Sequence, residues 1–186
     1  SIHLFFDRDP STLNRQIERH IQAGFRFLDF NFLDWGAIPS CPFYSQDWER
    51  WLLSARETAE KRGARFNQAH APVPVFNLKS DLSAYEAACA RAFDGCRLLG
   101  IPWMVFHHVP DPWQYGSAQS KFDFDRALFT RMLEHAHRTG VGIAIENLFD
   151  GGRVDGQAKN PVDYVIALAD VLGDPLVGVC CDTGHC

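Results

Sequence analysis

The stretch Gly140-Val141-Gly142-Ile143-Ala144-Ile145-Glu146-Asn147-Leu148 decides the fold. It opens on a glycine of the kind that closes a helix in the left-handed C′ position, and it continues as a short β-branched run of strand length. Side chains alternate along a strand, so Gly142, Ala144 and Glu146 share one face and Ile143 and Ile145 the other. Small residues ending in a carboxylate suit the crowded interior of a parallel barrel, and the bulky alternates suit the helix layer around it. The run 176–182 repeats the pattern, with Gly178, Cys180 and Asp182 opposing Val177, Val179 and Cys181. Glu146 and Asp182 are therefore both expected to point inward at the rim.

Outward from this stretch the same unit recurs. Gly24, Gly63, Gly100, Gly140 and Gly173 each follow a periodic, helix-like segment, at intervals of roughly 33 to 40 residues, close to the about 31 per unit of a barrel of eight βα repeats. Leu13, Ile17 and Ile21 form one apolar stripe, and Trp48, Trp51, Leu52, Ala55 and Ala59 the next. Ser83 with Glu86 reads as a capping box ahead of Tyr85, Cys89, Phe93 and Cys96. Helices are expected over 125–139 and 161–172, the latter with Asn160 as N-cap and Pro161 in its first position. Strands are expected over 25–32, 65–70, 103–107, 142–148 and 176–182. The fold class is α/β, a partial (β/α)8 TIM barrel forming a single domain over 1–186. Five strands do not close such a barrel, so the expectation is a fragment lacking most of strand 1 and all of strands 7–8, with open sheet edges.

Composition narrows the function classes. With 186 residues, 46% hydrophobic and 22% charged, the chain has material for a core and little tendency to disorder. It holds no uncharged apolar run of about 18 residues and no charged start leading into an apolar core, so cytoplasm is the expected compartment and no membrane partner is expected. The net charge of −5 argues against an extensive nucleic-acid footprint, which needs a basic stripe. Six cysteines are present without a CxxC pair; Cys89 and Cys96 fall on one helix and Cys180 and Cys181 are adjacent. They read as reduced thiols, mostly core filler.

Four apolar runs end on metal-type ligands: Gln68-Ala69-His70, Phe106-His107-His108, Ile145-Glu146-Asn147 and Cys181-Asp182-Thr183-Gly184-His185. A parallel barrel gathers such strand ends on one rim. A carboxylate at the end of an apolar strand needs a cation, a donor network or a raised pKa; a divalent metal answers this for Glu146 and Asp182, and a salt bridge to Arg153 is the competing reading. His185, three residues after Asp182, reaches the same pocket as a ligand or substrate donor, against a loop-packing role. His70 precedes Ala71-Pro72, where the proline takes the chain out of the strand; the competing reading is a core histidine. His107 and His108 point oppositely if both are in the strand, so His107 is favoured as a ligand and His108 is left as a substrate-contact candidate. His3 reads as an exposed histidine, the alternative being an approach to the site if the first strand ends near it. The aromatic, proline-marked segment 35–48, with Pro39, Pro42, Phe43 and Tyr44, reads either as an apolar lid with Trp35 against substrate or as an insertion packed on the rim. Gly151, Gly152 and Gly156 mark a mobile loop and not a phosphate cradle, since GxGxxG and GK[ST] are both missing.

Ile143-Ala144-Ile145-Glu146-Asn147 and Cys181-Asp182-Thr183-Gly184-His185 together resemble the fifth- and sixth-strand motifs of the xylose isomerase-like barrel superfamily, over essentially the whole chain. That superfamily includes sugar-phosphate isomerases and epimerases, ketose 3-epimerases, hydroxypyruvate isomerase, inosose dehydratase and the endonuclease IV type of abasic-site nuclease. The resemblance implies that Glu146 and Asp182 are metal ligands, that His185 contacts substrate or a further metal, and that the ion is Mn2+, Mg2+, Co2+ or Zn2+. In the epimerase branch a strand-seven histidine and a strand-eight glutamate complete the site. The implied chemistry is proton transfer next to a carbonyl of a small sugar or polyol, through an enediolate, with Glu146 in the acid/base pair. A homodimer is the family's frequent assembly. His70-Ala71-Pro72 resembles the third-strand motif of the nuclease branch, and His107 or His108 lies where its fourth-strand histidine would be. A zinc-dependent phosphodiesterase on abasic DNA is therefore the rival, although 39–44 is uncharged where a DNA-contact loop would be basic. The same motifs are also compatible with a dehydratase of the superfamily and with a polyol-binding protein without turnover.

Overall fold

In a computed structural model of the chain, the described residues are 2–3, 8–36, 38–73, 82–108, 118–149, 152–154 and 157–185. A parallel sheet runs through β1 (Ile2–His3), β2 (Phe27–Asn31), β3 (Arg65–His70), β4 (Trp103–His107), β5 (Gly142–Glu146) and, last in order, β8 (Val177–Cys180). Helices α1 (Leu13–Gln22), α3 (Trp48–Lys61), α4 (Leu82–Leu99), α5 (Ala118–Thr139) and α6 (Pro161–Leu172) connect successive strands. A short α2 (Phe32–Gly36) and an antiparallel hairpin, β6 (Gly152–Val154) with β7 (Gln157–Lys159), are additions to the repeat. This is the expected partial barrel, with the first strand position held by the two residues of β1.

The helix ends follow from local chemistry. All five spaced glycines have positive φ, between 59° and 100°, a conformation that costs a residue with a Cβ roughly 1–2 kcal/mol. Asn160 caps α6 by accepting the amide N–H of Asp163 at 2.8 Å, with Pro161 in the first turn. Helix α5 starts seven residues before the expected 125, because the apolar stripe that marks it begins only at Phe122.

Strand parity places the core. Leu28 and Phe30 of β2, Met104 and Phe106 of β4, and Ile143 and Ile145 of β5 face the helices and are buried. The alternates face the trough inside the open barrel, where register sets Trp103 beside Gly142, Val105 beside Ala144, and His107 beside Glu146. Gly142 is small for a steric reason: a Cβ there would lie 2.2 Å from the Trp103 ring. The trough, about 410 Å³, is lined by Trp103, Val105, Ala144 and Gly178 among others.

Strand β3 departs from simple alternation. Leu28 pairs with Phe66 but Asp29 pairs with Gln68, so Asn67 is an extra residue, a β-bulge. Phe66 and Ala69 can therefore both lie in the helix-facing core, while Gln68 and His70 turn to the opposite side. Without the bulge Phe66, Gln68 and His70 would share one face.

One strand boundary is corrected, and one open choice between two readings is decided. Strand β2 stops at Asn31 and not at 32, because Asn31 Oδ1 accepts the Asp34 amide N–H at 3.0 Å and its Nδ2 donates to the Asp34 carboxylate, which starts α2 at once. The segment 35–48 packs inward: Phe43 is fully buried, Cys41 nearly so, and Arg91 Nη1 donates to the Phe43 carbonyl at 2.7 Å. It is an insertion on the rim, not a lid. Cys41, Cys89 and Cys96 are buried free thiols, Cys180 is half-buried and Cys181 exposed. Among the described residues no helix is long and apolar enough to cross a membrane.

The parity assignment makes a measurable distinction. Ile145→Ala, which empties a fully buried site, is expected to cost about 2–5 kcal/mol in urea unfolding, whereas Ala144→Ser, facing the trough, is expected to cost less than about 1 kcal/mol. The reverse order would refute the assignment.

Candidate metal centre

Glu146 ends β5 at 4% exposure, and the sheet register sets His107 of β4 directly beside it. Its Oε2 lies 2.8 Å from His107 Nε2 and 3.7 Å from His70 Nε2, and its Oε1 lies 3.9 Å from His185 Nδ1. The rings of His70 and His107 meet edge to face at 5.9 Å. His70 reaches this point because the β3 bulge turns it inward, where its Nδ1 donates to the carboxylate of Asp29, 3.0 to 3.2 Å away. Asp29, on β2 and 3% exposed, also accepts from Gln68 Nε2 at 2.7 Å.

The other side of the cluster is a turn held by one side chain. Asn147 is fully buried; its Oδ1 accepts the Asp182 amide at 2.7 Å and its Nδ2 donates to the Asp182 carbonyl at 3.0 Å. This clamp fixes the residues after β8, and a 3-10 turn over Thr183–His185 follows. Asp182 Oδ1 accepts the Gly184 amide at 2.7 Å, and His185 Nδ1 donates to the Asn147 carbonyl at 2.8 Å while lying 3.7 Å from Asp182 Oδ2. Asp29, Gln68, His70, Glu146, Cys180, Cys181, Asp182 and Thr183 line a cavity of about 420 Å³, the size of a small-molecule site.

Charge compensation dominates the electrostatics. Burial by itself would raise the Glu146 carboxyl, but the imidazoles of His107 and His70 override it and hold the group well below the usual carboxylate range. Burial by itself would lower His70, yet Asp29 and Glu146 raise it from 6.5 to about 9. Burial, then the carboxylates of Glu146, Asp182 and Asp29, push the Cys180 thiol up to about 11, so it remains a neutral thiol beside the cluster.

Of the residues singled out in the sequence, His70, His107, Glu146, Asp182 and His185 are brought together, and two are not. His108 is fully buried behind β4, where its Nδ1 accepts from Lys121 Nζ at 2.8 Å and its ring stands 5.2 Å from Tyr164. Successive strand residues point oppositely, so placing His107 at the rim sends His108 into the core. Trp35 is also fully buried, edge-on to Trp51 at 5.7 Å, because α2 turns it inward. The His3 and Arg153 side chains and the glycine loop at 151 and 156 lie outside the described residues. Asp29 was not singled out: it sits inside the apolar run 25–32, and its alignment with His70 depends on the bulge. An aspartate at an inward position of a strand that ends on the rim was the available signal.

The donor set fits a divalent cation. Ligand atoms of His70, His107 and Glu146 lie within 4.8 Å of one another, as do those of Glu146, Asp182 and His185, so the two groups share Glu146. Glu146 Oε2, for all its short approaches to imidazole nitrogens, has no hydrogen bond of regular geometry among the described residues. Mixed imidazole and carboxylate donors suit Mn2+, Co2+ or Zn2+, and the carboxylates alone Mg2+.

Sugar epimerases are among the solved structures that the chain resembles. The chain is 19% identical to a D-psicose 3-epimerase solved in the presence of D-fructose, covering 98% of this chain and 60% of that one at a TM-score of 0.68. For a D-allulose 3-epimerase from Methylomonas sp. the values are 17%, 98%, 62% and 0.66, and for a D-tagatose 3-epimerase-like protein 16%, 95%, 63% and 0.67. The chain thus spans about three fifths of the length of these neighbours. No curated protein matches it in sequence. The model of one family, the xylose isomerase-like TIM barrel, matches residues 17–186, which agrees with the sheet order and the rim cluster: the chain belongs to the xylose isomerase-like TIM barrel family.

Proposed function

We propose that the protein is a metal-dependent isomerase or epimerase of a small sugar or polyol, which moves a proton next to a carbonyl through an enediolate. The observation that carries this reading is the buried carboxylate of Glu146, shared by two groups of ligand atoms beside a cavity of small-molecule size. The names of the structural neighbours, 3-epimerases of D-psicose and D-allulose, support the substrate class.

Glu146, Asp182, His70 and His107 would hold the ion. A divalent ion there supplies a Lewis acid for a carbonyl and its neighbouring hydroxyl. Glu146 is kept ionised and so is able to accept a proton, although its basicity stays low while the His70 imidazolium stands beside it. His185, whose Nδ1 donates to the Asn147 carbonyl, leaves Nε2 to bind and orient a substrate hydroxyl.

A second reading is favoured by one observation. His70 and His107 complete a ligand group on Glu146 in addition to the group with Asp182 and His185, and two ions bridged by a carboxylate suit phosphodiester cleavage. Zinc-loaded chain incising duplex DNA at an abasic site, without proton exchange into ketoses, would move the assignment to that chemistry.

Incubation of the complete protein with Mn2+ and ketoses in D2O is expected to place solvent deuterium on the carbon next to the carbonyl, read by NMR; no deuterium despite bound Mn2+ would sink the proton-transfer reading. Glu146→Gln should weaken Mn2+ binding more than about 100-fold, beyond the 10–100-fold typical of losing an outer-shell partner, and abolish the exchange. A calorimetric titration with affinity within about threefold of the parent would count against Glu146 as a ligand.

The pH dependence has a definite sign. Because the folded value of His70 is raised, its stabilisation of the metal-free chain is complete below about 6.5 and is lost as pH rises through about 9. Over that window the thermal midpoint of the metal-free chain should fall while Mn2+ affinity rises, since binding must displace the His70 proton. Calorimetry in buffers of different ionisation enthalpy should show proton release near pH 7.5, and a lack of release would contradict it.

A further inference from the structure

We infer that Asp29 is a positioning residue of the metal centre, acting through His70 to fix the orientation and tautomer of its ring so that the Nε2 lone pair faces Glu146. The inference rests on the metal-centre reading above and concerns a residue that is not itself in either ligand group.

Asp29 is 3% exposed within a sheet whose other face is the main core. An ionised carboxylate in such a place must be compensated by donors, and both oxygens are engaged: Oδ2 by Gln68 Nε2 at 2.7 Å, and the carboxylate by His70 Nδ1 at 3.0 to 3.2 Å. Both donors come from β3, on the far side of its bulge, and both reach the same acceptor. Gln68 stops the carboxylate from turning, and the carboxylate stops the imidazole from turning.

The consequence lies on the other side of the ring. A carboxylate only accepts, so the nitrogen facing it carries the proton. Once His70 has lost its second proton, the remaining one stays on Nδ1 and the lone pair is on Nε2. Nε2 is the atom that stands 3.7 Å from Glu146 Oε2. A ring flipped by half a turn would replace Nδ1 by Cδ2 and Nε2 by Cε1, losing the Asp29 hydrogen bond and turning carbon toward Glu146. The adjacent negative charge also makes Nε2 a stronger donor to a cation. His107 has no carboxylate partner besides Glu146 among the described residues, so the two imidazoles of this ligand group are held by different means.

Mn2+ and Co2+ titrations of the full chain, of Asp29→Asn, of His70→Ala and of the double variant test the inference, with thermal unfolding of each metal-free form. Asp29→Asn is expected to weaken binding about 10–100-fold, and the double variant to bind within about twofold of His70→Ala alone, because a residue acting through His70 has nothing left to act on. The visible Co2+ spectrum of Asp29→Asn should shift toward that of His70→Ala. Parent-like affinity in Asp29→Asn, or an undiminished penalty in the His70→Ala background, overturns the inference. Since a variant of a buried carboxylate can lose its fold, nitrogen-15 NMR of the unaltered chain loaded with Zn2+ gives an independent readout: a proton on His70 Nδ1 is expected, and a proton on Nε2 overturns the assignment. An unaltered chain that binds none of these ions removes the metal-centre reading together with this inference, whereas metal binding with the wrong tautomer removes the inference alone.

Discussion

A carboxylate withdrawn from water has to find opposite charge, hydrogen-bond donors or a proton, and Glu146 imposes that demand at 4% exposure. The surrounding structure is arranged to meet it. Register sets His107 beside it, the bulge in β3 turns His70 toward it, and the Asn147 clamp brings the Asp182 to His185 turn to its other side. Each of these devices belongs to a different strand, so the site forms only once β2 to β5 and β8 have assembled in order. The depressed Glu146 and the raised His70 are two views of one event: imidazolium charge standing in the place that the donor geometry offers to a cation.

What was legible in the sequence was whatever depends on periodicity and punctuation. The alternation of Gly142, Ala144 and Glu146 against Ile143 and Ile145 reads directly as trough against core, and Trp103 supplies the steric reason for the glycine. The spaced glycines and the Asn160-Pro161 start are backbone signals that tertiary packing leaves in place. The strand-end residues His70, His107, Glu146, Asp182 and His185 were visible for the same reason, since a parallel strand's C-terminal end is set by the chain's own pattern. Asp29 was not, because its partnership with His70 exists only through a bulge that leaves no compositional mark in Arg65-Phe66-Asn67-Gln68-Ala69-His70. The burial of Trp35 has a local cause: the Asn31–Asp34 hydrogen bonds start α2 directly after β2, and the helix turns the ring inward.

The adjacent pair His107-His108 shows how one strand end serves two environments. His107 belongs to the rim, and His108 to a fully buried group with Lys121, Asp125 and Tyr164, in which Lys121 Nζ lies 3.3 Å from Asp125 Oδ2 and the Tyr164 hydroxyl donates to the same oxygen at 2.8 Å. The Lys121 ammonium also stands 4.0 Å over the Tyr164 ring. Removing Lys121 or Asp125 would leave the other as an unpaired charge in the core. The group ties the end of β4 to α5 and α6 immediately behind a candidate ligand, where a loose strand end would let the imidazole drift.

The extra residue at Asn67 makes β3 two short strands of opposite phase spliced end to end. Its first part, through Phe66, obeys the core, and its second part, from Gln68, obeys the rim. A phase break of this kind uncouples two histories: the packing end can change its hydrophobic residues without rotating His70 out of place, and the rim end can exchange ligands without disturbing the seat of the helices. Deleting Asn67 would leave Phe66 and Ala69 alternating with Gln68 and His70 in unbroken register with β2, so the two faces would survive and only the local kink would be lost.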